Sequence, residues 1–343
     1  MFGLIRTKQL EEIIVNLMIK NLALIKKSLH VESNEEGFRL LCIDGKEENG
    51  TGRKYSATHD GKVRNLQTLH IYDDTNKICL FSVPIDAKSN EIPAAQAILT
   101  TMDLKDTICT FDALHMQRNT ISIIRENNGH YVGGLKGNQH DLMKEAASYF
   151  MDSEIQKLKK SRKVNKPVYI MTKEHAHSQE EIREFFLVNA KANEERALNW
   201  KDLKSFVMCI KTLIPDNPSA ETTVEVRYYA SDLDDLSVIA EAIRLHWSVE
   251  IFHWQMDVSF CEDDNSTMNV NAYNNLSLLN KLCLHLFQLM KLADTKTSIN
   301  RMRKRFGWNF EGSMEELLSY FHEDAIIQAL ETDSMSNFKL SDN

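Results

Sequence analysis

Four side chains in the segment RLHWSVEIFHWQMDVSF, from Arg244 to Phe260, have the types and spacing of a working face. His246, Glu250, His253 and Asp257 recur at i, i+4, i+7 and i+11, which on a helix puts them along one side. Trp247, Ile251, Trp254 and Val258 run beside them as an equally regular apolar stripe, the pattern of a face that packs on a core. Two aspartates stand where open α/β sheets form sites, just outside the carboxyl ends of buried strand-like runs. Asp44 closes FRLLCID and Asp112 closes TICTFD. Brought together, Asp44, Asp112 and Glu250 would make an all-oxygen cluster suited to Mg2+ or Mn2+. A pair of such ions, roughly 4 Å apart, activates a nucleophile and steadies the leaving oxygen in phosphodiester cleavage. Taken singly, an aspartate after a strand is as readily a turn or cap residue, so spacing leaves both readings open.

The elements that must position these residues follow from the chain's periodicity. An amphipathic helix ends near His30, and the buried strand FRLLCID stops at Asp44, followed by the glycine-rich loop GKEENGTGRK. RNLQTLHIYDD and KICLFSVPID form a hairpin through the turn DDTNK. NEIPAAQAILTTMDL is a helix with Asn90 as N-cap and Pro93 in its first turn. TICTFDALH is a strand, MQRNTISIIRENNG a helix and HYVGGLK a strand, and a long polar helix starts near Asn138 and runs past Tyr149. This alternation predicts a mixed α/β sheet with helical crossovers. From about Lys166 to Ser231 the chain turns β-rich, then returns to two long helices and a polar tail.

Composition narrows the class. The 343 residues, 43% hydrophobic and 26% charged, are those of a folded globular protein. No apolar run is long enough to span a bilayer, residues 1–30 lack a cleavable signal pattern, and six scattered cysteines suit a reduced, cytosolic chain. A net charge of −8 argues against a protein that coats nucleic acid, although basic residues cluster in KLKKSRKVNK and RMRKR.

Five motifs in order resemble the Asp-Asp-Glu transposases of H-repeat-associated, ISAs-type insertion sequences. They are CIDGK, IDAKSNEIPA, CTFDALHMQ, YVGGLKGNQ and HWSVEIFHWQMDVSFCED, spread over about residues 38 to 292. The resemblance implies a ribonuclease-H-like mixed sheet with flanking helices, interrupted by a β-rich insertion before the last acidic helix. On that plan residues 1–35 are a shortened N-terminal helical segment, and 36–165 and 233–295 are the two parts of the core. Residues 166–232 are the insertion, and 296–343 a helical tail. It implies Asp44, Asp112 and Glu250 as catalytic ligands of two Mg2+ or Mn2+ ions. The partners would be double-stranded DNA, as terminal inverted repeats and target, with homo-oligomers working on paired ends and no membrane.

The resemblance also implies DNA contacts. Lys46 follows the first aspartate, Lys136 and Asn138 sit at a helix start that could hold a phosphate, and Arg301, Arg303 and Lys304 form a basic run. Trp200 matches a family tryptophan that stacks on an unpaired base, and His177 a histidine near the scissile phosphate; a core tryptophan and an idle turn histidine are the plain alternatives. His246 stands where relatives carry a phosphate-binding arginine, so protonation would serve the same end, against a plain rim histidine. Asp257, nearly two turns past Glu250, is expected to pair with a basic residue or a DNA-facing loop.

The departures are acidic. Only about 40 residues precede Asp44, Glu47 and Glu48 replace a basic loop, and Asp264 and Asn265 lie where the family is richer in arginine. A transposase-derived DNA-binding protein without cleavage is therefore the competing reading, because each lost cation weakens phosphate binding. A third, di-iron reading rests on the Glu-x-x-His pairs Glu174/His177 and Glu250/His253, but Glu174 lies in a β-rich stretch.

Overall fold

The computed structural model describes residues 2–28, 37–48, 65–85, 91–161, 166–176, 178–191, 199–265, 267, 269–293 and 296–319. Two compact units emerge: Met1–Arg39, Asp44–Glu91 and Ser248–Asn343 form the first, Leu40–Ile43 and Ile92–Trp247 the second.

In the first unit, α1 (Thr7–Ser28) precedes β1 (Arg39–Glu48), whose leading half belongs to the second unit. β2 (Leu66–Asp73) and β3 (Ile78–Ile85) form the expected hairpin, paired antiparallel from Gln67 opposite Ile85 to Asp73 opposite Ile78. Asp73 shapes its turn: Oδ1 accepts from the Asn76 amide at 2.9 Å and Oδ2 from Asn76 Nδ2 at 2.6 Å. β1 runs four residues past Asp44, where the sequence suggested a loop. Lys46 and Glu48 are both buried and pair at 3.1 Å, so the charges that mark a loop in sequence are neutralised inside the strand.

The segment from Arg244 to Phe260 is not one uninterrupted helix. α6 (Leu236–Leu245) ends on His246 and α7 (Trp247–Phe260) begins after it. α7 also turns the other way from expectation. Val249, Phe252 and Met256 are buried, while Ile251, Trp254 and Val258 are 55%, 60% and 44% exposed. The helix is apolar on more than one side, so periodicity could not choose the packed face. Phe252 chooses it by stacking on Tyr72 at 5.1 Å between ring centres and meeting His70 edge-on at 5.4 Å. α8 (Val270–Ala293), α9 (Ile299–Trp308) and α10 (Phe310–Ser319) follow.

In the second unit, β4 (Thr107–Phe111) and β5 (His130–Leu135) run parallel, joined through α3 (Arg118–Glu126), and α2 (Glu91–Thr101) leads into them. The long polar helix of the sequence is three pieces: a turn of 3-10 helix at Gly137–Gln139, α4 (His140–Tyr149), and α5 (Asp152–Lys159) beyond buried Phe150. The β-rich run forms β6 (Tyr169–Ala176), β7 (Gln179–Asn189), β8 (Ser205–Pro215) and β9 (Thr223–Ser231) as an antiparallel meander. β9 pairs antiparallel with β5, from Val132 opposite Ser231 to Leu135 opposite Tyr228, so the run prolongs the existing sheet. The hydrogen-bonded order is β3-β2-β1-β4-β5-β9-β8-β7-β6, nine strands of mixed direction. Cys42, Cys79, Cys109 and Cys209 are buried free thiols. Among the described residues no helix is long and apolar enough to cross a membrane.

The glycine pair of YVGGLK has a packing cause. Gly133 lies opposite Phe111, and a Cβ there would stand 2.7 Å from the Phe111 ring and collide with the Met116 sulfur. Gly133→Ala is therefore expected to lower stability by about 1–3 kcal/mol, measured as the shift of the urea unfolding midpoint at unchanged m-value.

Candidate active site

In the first unit the polar face of α7 turns toward β1 and β2. Along β1, Asp44, Lys46 and Glu48 alternate onto one side, while Glu47 faces solvent and accepts from Asn65 Nδ2 at 2.7 Å. His253 bridges to both strands: its Nε2 lies 3.0 Å from His70 Nδ1, and its Nδ1 lies 3.8 Å from Asp44 Oδ2. His70 is fully buried, and burial holds it neutral, far below the usual histidine range. It has a single ring proton, and its Nε2 is buried with no partner among the described residues. Placing the proton on Nδ1, where His253 Nε2 can accept it, satisfies the pair and leaves the His253 proton on Nδ1, facing the Asp44 carboxylate. Glu250, in the first turn of α7, is exposed.

Lys46 is the hub of a buried cluster. Its ammonium pairs with Asp257 of α7, with Glu48 at 3.1 Å and with Glu262 at 3.2 Å. Glu262 begins a turn of 3-10 helix after α7 and accepts from Ser277 Oγ of α8 at 2.6 Å. Burial, opposed by the Lys46 charge, raises the carboxyl groups of Glu48 and Asp257, and burial followed by the neighbouring carboxylates keeps the Tyr273 hydroxyl protonated. Asp257 thus takes the basic partner expected of it. Lys46, read from sequence as a DNA contact, is instead enclosed among carboxylates and withdrawn from solvent.

In the second unit, Asp112 follows β4 directly, and its Oδ1 accepts from the Leu114 amide at 2.8 Å. It is therefore a turn residue with its second oxygen left over, so the plain and the functional roles are compatible. Thr110, at the end of the same strand, donates to the Leu41 carbonyl at 3.3 Å and lies 3.0 Å from His246 Nδ1. Burial drives His246 down to about 4; Asp112 pulls it up, and Arg227 and His115 push it down. Burial thus favours the neutral ring, hydrogen-bonded to Thr110, over the cation that a phosphate contact would need.

Beyond the carboxyl ends of β4 and β5 lies a cavity of about 490 Å³. Asn138 and Trp200 both line it, together with Gln96, Arg118, Asn119 and Gln139. Asn138 Nδ2 donates to the Ala113 carbonyl at 2.6 Å, and Gln139 Nε2 donates to Ala113 and Met116 carbonyls at 3.0 and 2.6 Å. Asn138 is thus a tie between loops and not the cap of α4. The residues at the N-cap positions of α3 and α4, Gln117 and Gln139, make no side-chain cap bond. Gln139 Oε1 is buried and has no partner among the described residues. One arginine, carboxamide donors and an indole ring are groups of the kind that receive a nucleotide unit. Sequence reasoning missed Arg118, whose position opening α3 beside the Asp112 loop was the available signal.

Of the remaining candidates, Lys136 is exposed at the start of the 3-10 turn, and Arg301 and Lys304 are exposed on α9 with Arg303 partly covered. His177 lies outside the described residues. Glu174 is paired with Arg244, which disposes of it as an iron ligand. Among the described residues no group of three or more His, Cys, Asp or Glu side chains is gathered to hold a metal ion. The donor chemistry of Asp44, Asp112 and Glu250 nonetheless suits a hard divalent cation.

Residues 35–286 match the family described as Transposase DDE domain. The chain belongs to that family. A protein of Escherichia coli O157:H7 provisionally named transposase YncI is 29% identical over 304 residues, covering 87% of this chain and 72% of that protein. YbfL of E. coli K12 is 29% identical over 238 residues, and the provisionally named H repeat-associated transposase YhhI of the same strain 28% over 240. Each of those two alignments covers 68% of this chain and 60% of the relative. This DDE transposase chain is therefore a distant relative of H repeat-associated proteins, and a divalent-metal polynucleotidyl transferase is the activity its family implies.

The buried histidines make a pH prediction. His246 and His285 are both held near 4 by burial, against an ordinary value of 6.5, so the unfolded chain takes up protons that the folded chain refuses. Their contribution is complete above pH 6.5 and is lost as pH falls toward 4. Stability should drop by about 1 kcal/mol per histidine between pH 7 and 5.5. His246→Asn should flatten that slope in urea melts at the two pH values.

Proposed function

We infer that the chain is an insertion-sequence DNA transposase that hydrolyses phosphodiester bonds at element ends and joins the freed 3′-hydroxyl to target DNA. Asp44, Asp112 and Glu250 are its catalytic carboxylates, and the fold is ribonuclease-H-like, with β6–β9 as the insertion before the acidic helix. The single observation that carries the reading is the family match over residues 35–286, because it takes in all three carboxylates and the elements that bear them. The strand order β3-β2-β1-β4-β5, antiparallel in its hairpin and parallel between β4 and β5, agrees with it.

When bound, Mg2+ or Mn2+ supplies Lewis acidity to the attacking and leaving oxygens. The chain's own residues do the rest. Asp44, Asp112 and Glu250 offer hard oxygen ligands, and His253 Nδ1 stands 3.8 Å from the Asp44 carboxylate. Arg118, Asn138, Trp200 and the first-turn amides of α3 and α4 hold an unpaired nucleotide, and Lys136, Arg301, Arg303 and Lys304 contact phosphates. The DNA would be the inverted repeats of the element and its target, engaged by a homo-oligomer.

One observation favours a second reading, a transposase-derived protein that binds DNA without cutting it. Lys46 is enclosed and His246 is uncharged at neutral pH, so two expected contributors to phosphate binding are missing.

DNA carrying the inverted repeats that bound the reading frame, incubated with the full chain and Mg2+ or Mn2+, separates the two. Under the first reading cleavage occurs, and Asp44→Asn, Asp112→Asn and Glu250→Gln each slow it on the order of 10³-fold or more while metal-free DNA binding stays within about threefold. Binding without cleavage by the intact chain would establish the second. Trp200→Ala is expected to weaken single-stranded DNA binding about tenfold.

A further inference from the structure

Asp44 and Lys46 are two residues apart on one side of β1, about 7 Å along the strand. Glu250 and Asp257 are seven residues apart on one side of α7, about 10 Å along the helix. The Lys46–Asp257 ion pair therefore joins the strand that bears one carboxylate to the helix that bears another. Between the two ends of this span, His253 touches His70 on β2 and approaches Asp44. A helix tied at two points along its length has neither rotation nor axial slip left. Apolar packing through Val249, Phe252 and Met256 is less selective about axial position, because residues one turn along present a similar surface.

Buried ion clusters add little to net stability, since desolvation offsets most of the attraction, but they do select one register over others. Here one ammonium serves Asp257, Glu48 and Glu262; the two glutamates are drawn out of water with it, and Asp257 reaches it from a partly exposed position on α7. Such a cluster is poorly suited to binding a nucleic acid. It is well suited to holding α7 at one height against β1.

We propose that Lys46 and Asp257 are positioning residues: a clamp that sets where Asp44 and Glu250 present their carboxylates to a divalent cation. This rests on reading Asp44 and Glu250 as metal ligands, and it replaces the DNA-contact role that the position of Lys46 in the sequence suggested.

Asp257→Asn is the decisive variant, because Lys46 keeps Glu48 and Glu262 as partners and its charge is not left unpaired. In the full chain we expect Asp257→Asn to weaken Mn2+ binding, followed by electron paramagnetic resonance of the free ion, about tenfold. Metal-free duplex binding by fluorescence anisotropy should stay within twofold, with an unchanged salt dependence. Lys46→Met should have the same signature, and Lys46→Arg should recover part of the affinity; urea melts report whether each variant is folded. If Lys46→Met is unfolded, Asp257→Asn decides alone. Unchanged Mn2+ affinity in folded Asp257→Asn overturns the clamp. So does a metal-free binding loss in Lys46→Met with the salt slope reduced by about one, the mark of a phosphate contact. Asp44→Asn and Glu250→Gln separate the two layers of the argument. If neither alters Mn2+ binding, the metal reading itself is wrong. If both abolish it while Asp257→Asn does not, the ligands stand and the clamp falls.

Discussion

A carboxylate removed from water without a partner costs several kcal/mol, and the first unit buries two, Glu48 and Glu262, against a single ammonium that the partly exposed Asp257 also pairs. The Lys46 cluster can exist only as a whole: take away the cation and Glu48, Asp257 and Glu262 repel one another in a medium that screens poorly. Its geometry explains several features of the unit together. β1 continues to Glu48 because its charged residues have partners inside. The 3-10 turn at Glu262 is drawn back toward β1, and α8 joins through the Ser277 hydroxyl. α7 turns Asp257 and His253 inward and leaves Ile251, Trp254 and Val258 in solvent.

The second unit solves a different problem. With a net charge of −8, this chain cannot rely on a broadly basic surface to hold phosphate. Its cavity beyond β4 and β5 has carboxamides, one arginine and an indole ring, and takes in the starts of α3 and α4, which carry no side-chain cap. Backbone amides at a helix start bind anions through fixed dipoles and require no side-chain charge. The neutral state of His246 fits the same economy of charge, since its Nδ1 is committed to Thr110 and its ring is buried.

Much of the architecture was legible along the chain. The β2–β3 hairpin announced itself by alternation and a polar turn, α2 and α3 by helical periodicity, and β4 and β5 by short apolar runs ending at turn signals. The misreadings have local causes. Lys46 and Glu48 looked like loop residues because the other acids that enclose Lys46 lie some two hundred residues away and nothing local shows the pair turned inward. The exposed and buried sides of α7 were exchanged because both carry large apolar residues, and only contact with Tyr72 and His70 distinguishes them. The β-rich run was legible as strands, but nothing local reveals that β9 pairs with β5. Asp44, Asp112 and Glu250 stood out in the sequence as candidates by residue type and position, whereas Arg118 and Gln139 did not, because only the fold makes them a cavity wall.

By itself, the order of residues determined the family and the α/β class, because motif spacing and hydrophobic period are properties of neighbours along a chain. Tertiary structure alone decided that Lys46 faces inward, that His246 stays neutral and that Asn138 and Trp200 share a cavity. Those outcomes depend on desolvation and on charges distant in sequence, and both come into being only when the chain has closed around them.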